Sequence, residues 1–241
     1  MPFLLLCGAF VVIAVNAQAS ARKEDPDSVG QWLQQRGMQV ATQGGRPPAG
    51  SFRVVRLADL DAPDEVKQQL RADIERSKGV VQVAEGSIPT QDEMLAALPR
   101  RHRSAPELRQ RLPQPPSRLE GSLLGPAQLI GMEPSGALDG GKSSGLSRYY
   151  RLQGVGTVEF SENNFVAAGT QIEVIAEAQN TLVNGKPAHL GRAVDSAGRT
   201  RVELAWTGVS KTYSLIATGE PGSDVERNAR TLHDIAAAIK D

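Results

Sequence analysis

The chain has 241 residues, with 27 Lys+Arg against 27 Asp+Glu, so its formal net charge is zero. Neutrality removes any whole-chain case for a polyanionic partner, and 40% hydrophobic with 22% charged residues excludes a disordered or collagen-like composition. A single cysteine excludes a disulfide framework, a four-thiolate zinc site and an intramolecular redox pair.

Residues 3–15, FLLLCGAFVVIAV, carry no charge and lead into Ala17 and Ala19. An apolar run of this length before Ala-x-Ala predicts a signal peptide over residues 1–19, cleaved after Ala19 or Ala17. The run is shorter than the roughly 20 apolar residues that a membrane-crossing helix needs. Cys7 follows Leu6 rather than the small residue that a lipidation motif requires, so it is read as part of the discarded segment. Cleavage leaves a chain without cysteine, which suits a periplasmic or secreted setting and rules out thiol chemistry.

Three sections follow. Residues 20–98 read as a small α/β element. Its parts are a short helix from Ser28 through Gly37, a strand at 51–57, a helix over 61–79 and a strand at 80–83. Asp61 can cap the second helix, Pro63 fits its first turn, and Val66, Leu70 and Ile74 give it a narrow apolar stripe. The resulting β-α-β unit buries little and needs a partner surface.

Residues 99–146 read as a largely flexible Arg/Pro/Gly-rich connector. Brief helices are predicted beside and inside it at QDEMLAAL and APELRQRL, because Thr90/Glu93 and Ser104/Glu107 fit the capping-box spacing. From 147 to 241 the pattern turns to period two. GTVEF, TQIEV and RVELAW alternate, Asn184-Gly185 signals a hairpin, and Asp195–Gly198 signals a second turn. Five or six antiparallel strands are expected, covered by a helix from Ser223 or Asp224 whose stripe is Val225, Ala229, Leu232, Ala236 and Ile239. The fold class is therefore α+β. Six of the eight aromatics beyond residue 19 fall after residue 148, which puts the better packed core in this last module.

No motif carries specific chemistry. His102, His189 and His233 lack a metal-ligand spacing, so no metal is expected. Gly141-Lys142-Ser143-Ser144-Gly145 satisfies the hydrolase-elbow string. With Gly136 it also satisfies the phosphate-loop string. Both need a strand before and a helix after, and neither context is predicted. Glu159 with Glu173 or Glu177 would be the carboxylate pair of a glycosidase, but their alternation with apolar residues reads as a solvated sheet face. No catalytic residue and no cofactor is assigned.

The basic run from 100 to 118 is more informative. Arg100, Arg101, Arg103, Arg109, Arg111 and Arg118 are opposed only by Glu107, so contact with an anionic surface is the candidate role. No aromatic interleaves them, which argues against nucleic acid. The tail has a strand ending in Trp206, then Tyr213-Ser214-Leu215, then Leu232-x-x-Ile235-Ala236. It faintly resembles small extracytoplasmic sheet-and-helix modules of bacterial anti-sigma and envelope proteins, over about forty residues of common types, and this assigns no family.

The expectation is an exported bacterial envelope protein, a non-enzymatic binding or accessory module contacting a protein or an anionic envelope surface. The rival expectations are a hydrolase built from scattered Asp, Glu and His, and a structural subunit of a secretion or conjugation apparatus.

Overall fold

The computed structural model describes residues 29–33, 35, 50–97, 105–136 and 138–239. The signal peptide expected at 1–19, with Cys7, lies outside the described residues, as do Arg100, Arg101, His102, Arg103 and Ser104. Among the described residues no helix is long and apolar enough to cross a membrane.

The elements in chain order are β1 (Ser51–Val55), α1 (Asp64–Ser77), β2 (Val80–Val83), α2 (Gln91–Ala97), α3 (Ala105–Arg111) and β3 (Gln128–Ser135). Then come β4 (Gly145–Leu152), β5 (Gly156–Asn164), β6 (Gln171–Ile175), β7 (Thr181–Val183), β8 (Lys186–Asp195), β9 (Thr200–Thr207), β10 (Lys211–Gly219) and α4 (Val225–Ala238). The content is mixed α+β: a large sheet with a C-terminal helix on it, and a small β-α-β region before it. The main sheet has eight strands in the order β2-β8-β9-β10-β5-β4-β3, with β7 also on β8. That exceeds the expected five or six because β2 and β3 join from upstream of residue 147.

The hairpins form where the sequence places them. Asn184 (φ 50°) and Gly185 (φ 77°) both take positive φ between β7 and β8, the geometry that suits the twist of paired strands. At the next turn the Asp195 carboxylate accepts from the Ala197 and Arg199 amides (3.0 and 2.9 Å) and from Arg199 Nε (2.7 Å), which ties β8 to β9. Pro187 sits in β8, an interior strand. It is tolerated because pairing of β8 to β9 starts only at Ala188.

Alternation then sorts the core. Val158, Phe160, Val202, Leu204, Leu215 and Ala217 point to one face, and α4 lays Ala229, Leu232, Ile235 and Ala236 against them. Asp224 caps α4 by accepting from the Glu226 and Arg227 amides (2.9 and 3.1 Å). Leu232 and Ile235 have no exposed surface, and burying such a side chain stabilises by about 1.5–3 kcal/mol.

The upstream β-α-β region meets its need for a partner in an unexpected way. β1 and β2 do not pair with each other. β1 runs parallel to β6 in a separate two-stranded sheet, and β2 runs parallel to β8. β7 and β2 share one edge of β8: β7 takes its start, from Lys186 to Ala188, and β2 takes its end, from Arg192 to Asp195. A second core joins Trp32 and Val29 to Val66, Leu70 and Ile74 of α1 and to Ile175. The α1 N-cap is Pro63, with no side-chain cap, where Asp61 was the expected one. The Thr90/Glu93 capping box is formed in both directions (Thr90 N to Glu93 Oε2, 2.8 Å; Glu93 N to Thr90 Oγ1, 3.2 Å).

Within 99–146 the structure departs from the picture of a solvated connector. β3 occupies 128–135 at the edge of the main sheet, and Leu119 and Leu124 are buried in its core. Alternation does not reveal β3 because its pairing with β4 shifts between Leu129 and Gly131 and then runs through Pro134.

Candidate functional site

Residues 113–118 read PQPPSR: Pro113, Gln114, Pro115, Pro116, Ser117, Arg118. Three prolines remove three backbone donors, so this strap cannot join the sheet as a strand, and its carbonyls need donors from side chains. The main sheet supplies them at the end where β3 connects to β4. Period-two alternation and the strand register bring Arg148 of β4, Phe160, Glu162 and Asn164 of β5, and Lys211 and Tyr213 of β10 onto one face.

There they clamp the strap. Glu162 accepts from the Ser117 amide at both oxygens (3.1 and 3.0 Å) and from Ser117 Oγ (2.6 Å). Arg148 donates to the Ser117 carbonyl (3.1 Å) and to Glu162 (3.1 Å). Lys211 donates to the Pro115 carbonyl (3.2 Å) and to Glu162 (3.0 Å). Asn164 donates to the Gln114 side chain (2.9 Å). The Glu162 side chain is 4% exposed, Arg148 12% and Lys211 14%, so the charges neutralise one another largely out of water. The Arg148 guanidinium also lies 5.0 Å from the centre of the Phe160 ring, and Phe160, Tyr213 and Trp206 form a stack beneath.

Space flanks the strap on two sides. A cavity of about 10 Å³ lies under it, bounded by Leu112, Pro116, Ser144, Gly145 and Asn164; that is room for about one water. Gly145 is required here, since a Cβ would run into the Glu162 carbonyl. An open groove of about 860 Å³ follows the strap's other side, between Pro115, Arg118, Gly121, Ser210, Tyr213 and Ala238.

The opposite face of the sheet holds a second polar arrangement. Ser161 Oγ donates to Glu159 (2.9 Å) and lies 2.6 Å from Ser147 Oγ, while the Tyr149 hydroxyl donates to Glu133 (3.1 Å). Burial pushes the Glu159 carboxyl above its ordinary range, against the hydrogen bonds from Ser161 and Ser147. Burial, then Glu159 and Glu133, push the Tyr149 phenol up. A raised carboxyl pKa means that the folded state holds the proton more tightly than the unfolded chain. The stability this adds is full below the unfolded value and is lost as pH rises through the folded one. Glu159→Gln should therefore flatten the fall of the denaturant midpoint with rising pH above about 4, the unfolded carboxyl range. An unchanged pH profile in urea titrations would assign that slope to other groups.

The sequence candidates are placed as follows. Of the six arginines, Arg100, Arg101 and Arg103 lie outside the described residues. Arg109 is exposed on α3, Arg111 is half-buried and donates to the Gly141 carbonyl (3.0 Å), and only Arg118 reaches the groove, exposed on its rim. Glu159, Glu173 and Glu177 are not brought together: Glu173 pairs with Arg53 and Glu177 accepts from the Leu57 amide (2.9 Å). Ser143 and Ser144 are buried and run into a strand rather than a helix, which is neither an elbow nor a phosphate loop. His189 Nδ1 is 2.8 Å from the Ala178 carbonyl, and His233 Nε2 is 3.3 Å from Thr181 Oγ1. Among the described residues no group of three or more His, Cys, Asp or Glu is arranged to hold a metal.

Sequence reasoning missed the Glu162, Arg148 and Lys211 clamp. Its only local signal was a carboxylate in phase with Val158 and Phe160, on the apolar face of a strand, where an unpaired charge would be costly. Compared with family models, with curated proteins and with solved structures, the chain matches none.

Proposed function

We propose that this is an exported, non-enzymatic binding module of a bacterial envelope, and that its partner is a protein seated in the groove beside the Gln114–Ser117 strap. The observation that carries the reading is the groove itself: about 860 Å³, open, and walled by proline, glycine, serine and tyrosine with Arg118 on its rim. The charged groups beside it, Glu162, Arg148 and Lys211, are engaged with one another and with the strap rather than set as a nucleophile and base. Arg118 gives the rim a cation for an acidic contact. The residue 3–15 apolar run before Ala17 and Ala19 supports export.

The test is site-specific photo-crosslinking in cells. A photoreactive residue at Gly121 or Ser210 should give a discrete adduct with one partner, and the same residue at Ala72 on the exposed side of α1 should not. Equal adducts from both places, or none from the groove, would overturn the reading. Amino-terminal sequencing of exported protein should begin at Ser20 or Gln18, and retention of Met1 would remove the export part. A fall of the groove adduct with added salt is expected if Arg118 contributes, since exposed charges are screened within about 8 Å at physiological ionic strength.

A further inference from the structure

We infer that the strap Gln114–Ser117 is the chain's own occupant of a cleft for extended peptides, and that the partner segment shares its chemistry: consecutive prolines followed by a serine. The inference rests on the binding-module reading and names the partner chemistry for that site.

The clamp reads main chain rather than merely anchoring it. At one residue, Ser117, Glu162 takes the amide and hydroxyl while Arg148 takes the carbonyl. Two residues back, Lys211 takes the Pro115 carbonyl, and Asn164 reaches Gln114. Every one of these sheet groups comes from a strand of the main sheet, and each bonds an atom of the strap. Prolines at 113, 115 and 116 preset an extended left-handed backbone whose carbonyls are not used by neighbouring strands, the form in which proline-rich peptides are recognised on aromatic surfaces. Tyr213 lies in the adjoining groove wall and stacks on Trp206 (5.1 Å). Fixing a loop for stability alone does not call for this arrangement, because apolar side chains replacing a buried ion cluster are often neutral or stabilising. The open groove along one side of the strap leaves room for a competing chain to enter as the strap leaves.

Tethering sets the competition. A segment joined through short flanking chain has an effective concentration on the order of millimolar, so the native chain presents its cleft occupied. Apparent affinity for an outside peptide is reduced by the fraction of molecules with the strap released.

The probe is a labelled synthetic peptide of the sequence LPQPPSRLE, equal to residues 112–120. The receptor is the exported chain in two forms, native and P115G/P116G/S117G, which keeps the buried Leu119 anchor. Fluorescence anisotropy should show saturable binding to the variant at least about tenfold tighter than to the native chain. A control peptide with glycine at the two consecutive prolines and alanine at the serine should bind at least about tenfold more weakly than the probe. A folded variant that takes up no probe at millimolar concentration overturns the inference, as does equal binding of probe and control.

Where the variant does not fold, hydrogen exchange on the native chain decides. Protection of the Ser117 amide should fall in step with added probe, and protection unchanged at saturation by millimolar probe overturns the inference. Because these arms use purified components, their failure with groove cross-links intact would remove the strap as occupant and leave the binding module. Loss of the cross-links would remove the module reading itself.

Discussion

Replacing Glu162 with alanine is expected to destabilise the protein by about 3–5 kcal/mol, the range for removing one partner of a buried ion cluster. The physical reason is what stays behind. Arg148 and Lys211, with side chains 12% and 14% exposed, would keep their charges without the carboxylate between them. The Ser117 amide and hydroxyl would lose their acceptor as well. The strap should detach first, since four of its bonds go to Glu162 or to Arg148, which Glu162 holds in place. Guanidinium unfolding reads the cost. A double replacement, Glu162→Met with Lys211→Met, should lose less than the two single changes summed, because one uncompensated charge leaves with the other. A single-variant cost under about 1 kcal/mol would mean that water already carries these charges.

Phe160→Ala should cost about as much, roughly 3–5 kcal/mol, for a different reason. Phe160 has no exposed surface, stacks on Tyr213 with ring centres 6.1 Å apart, and carries the Arg148 guanidinium over its other face. Truncation leaves a cavity that the two flanking strands, each fully hydrogen-bonded, cannot close. It also strips the cation of its ring, worth about 0.5–2 kcal/mol. Phe160→Leu should recover more than half of the loss. Because both residues touch Arg148, Phe160→Ala and Glu162→Ala should be non-additive in a double-mutant cycle, and strict additivity would show that Arg148 does not couple them.

These two residues also show where the sequence reading stopped. Phe160 was legible as core, since it alternates in phase with Val158 along GTVEF. Glu162 continues that phase by two and looks like the polar end of a strand. Its partners stand far away in the chain, Ser117 at a separation of 45 and Lys211 at 49. No window of local pattern spans such distances. The arginine run was read as one feature because its members are neighbours in sequence. Folding gives Arg109, Arg111 and Arg118 three different surroundings, and only Arg118 lines the groove.

Several features needed only nearby residues, and for these the sequence by itself was decisive. The Asn184-Gly185 hairpin, the Thr90/Glu93 capping box, the Asp224 cap and the apolar stripe of α4 all depend on partners within a few positions and on φ preferences or helical spacing. Tertiary structure alone decided the rest. β1 is paired with β6 across 120 residues, β2 joins β8 instead of β1, and the proline strap lies under an ion cluster drawn from three strands. In each case the choice of partner turns on which edge is open and which buried polar atom still lacks a bond, and those conditions exist only once the sheet has formed.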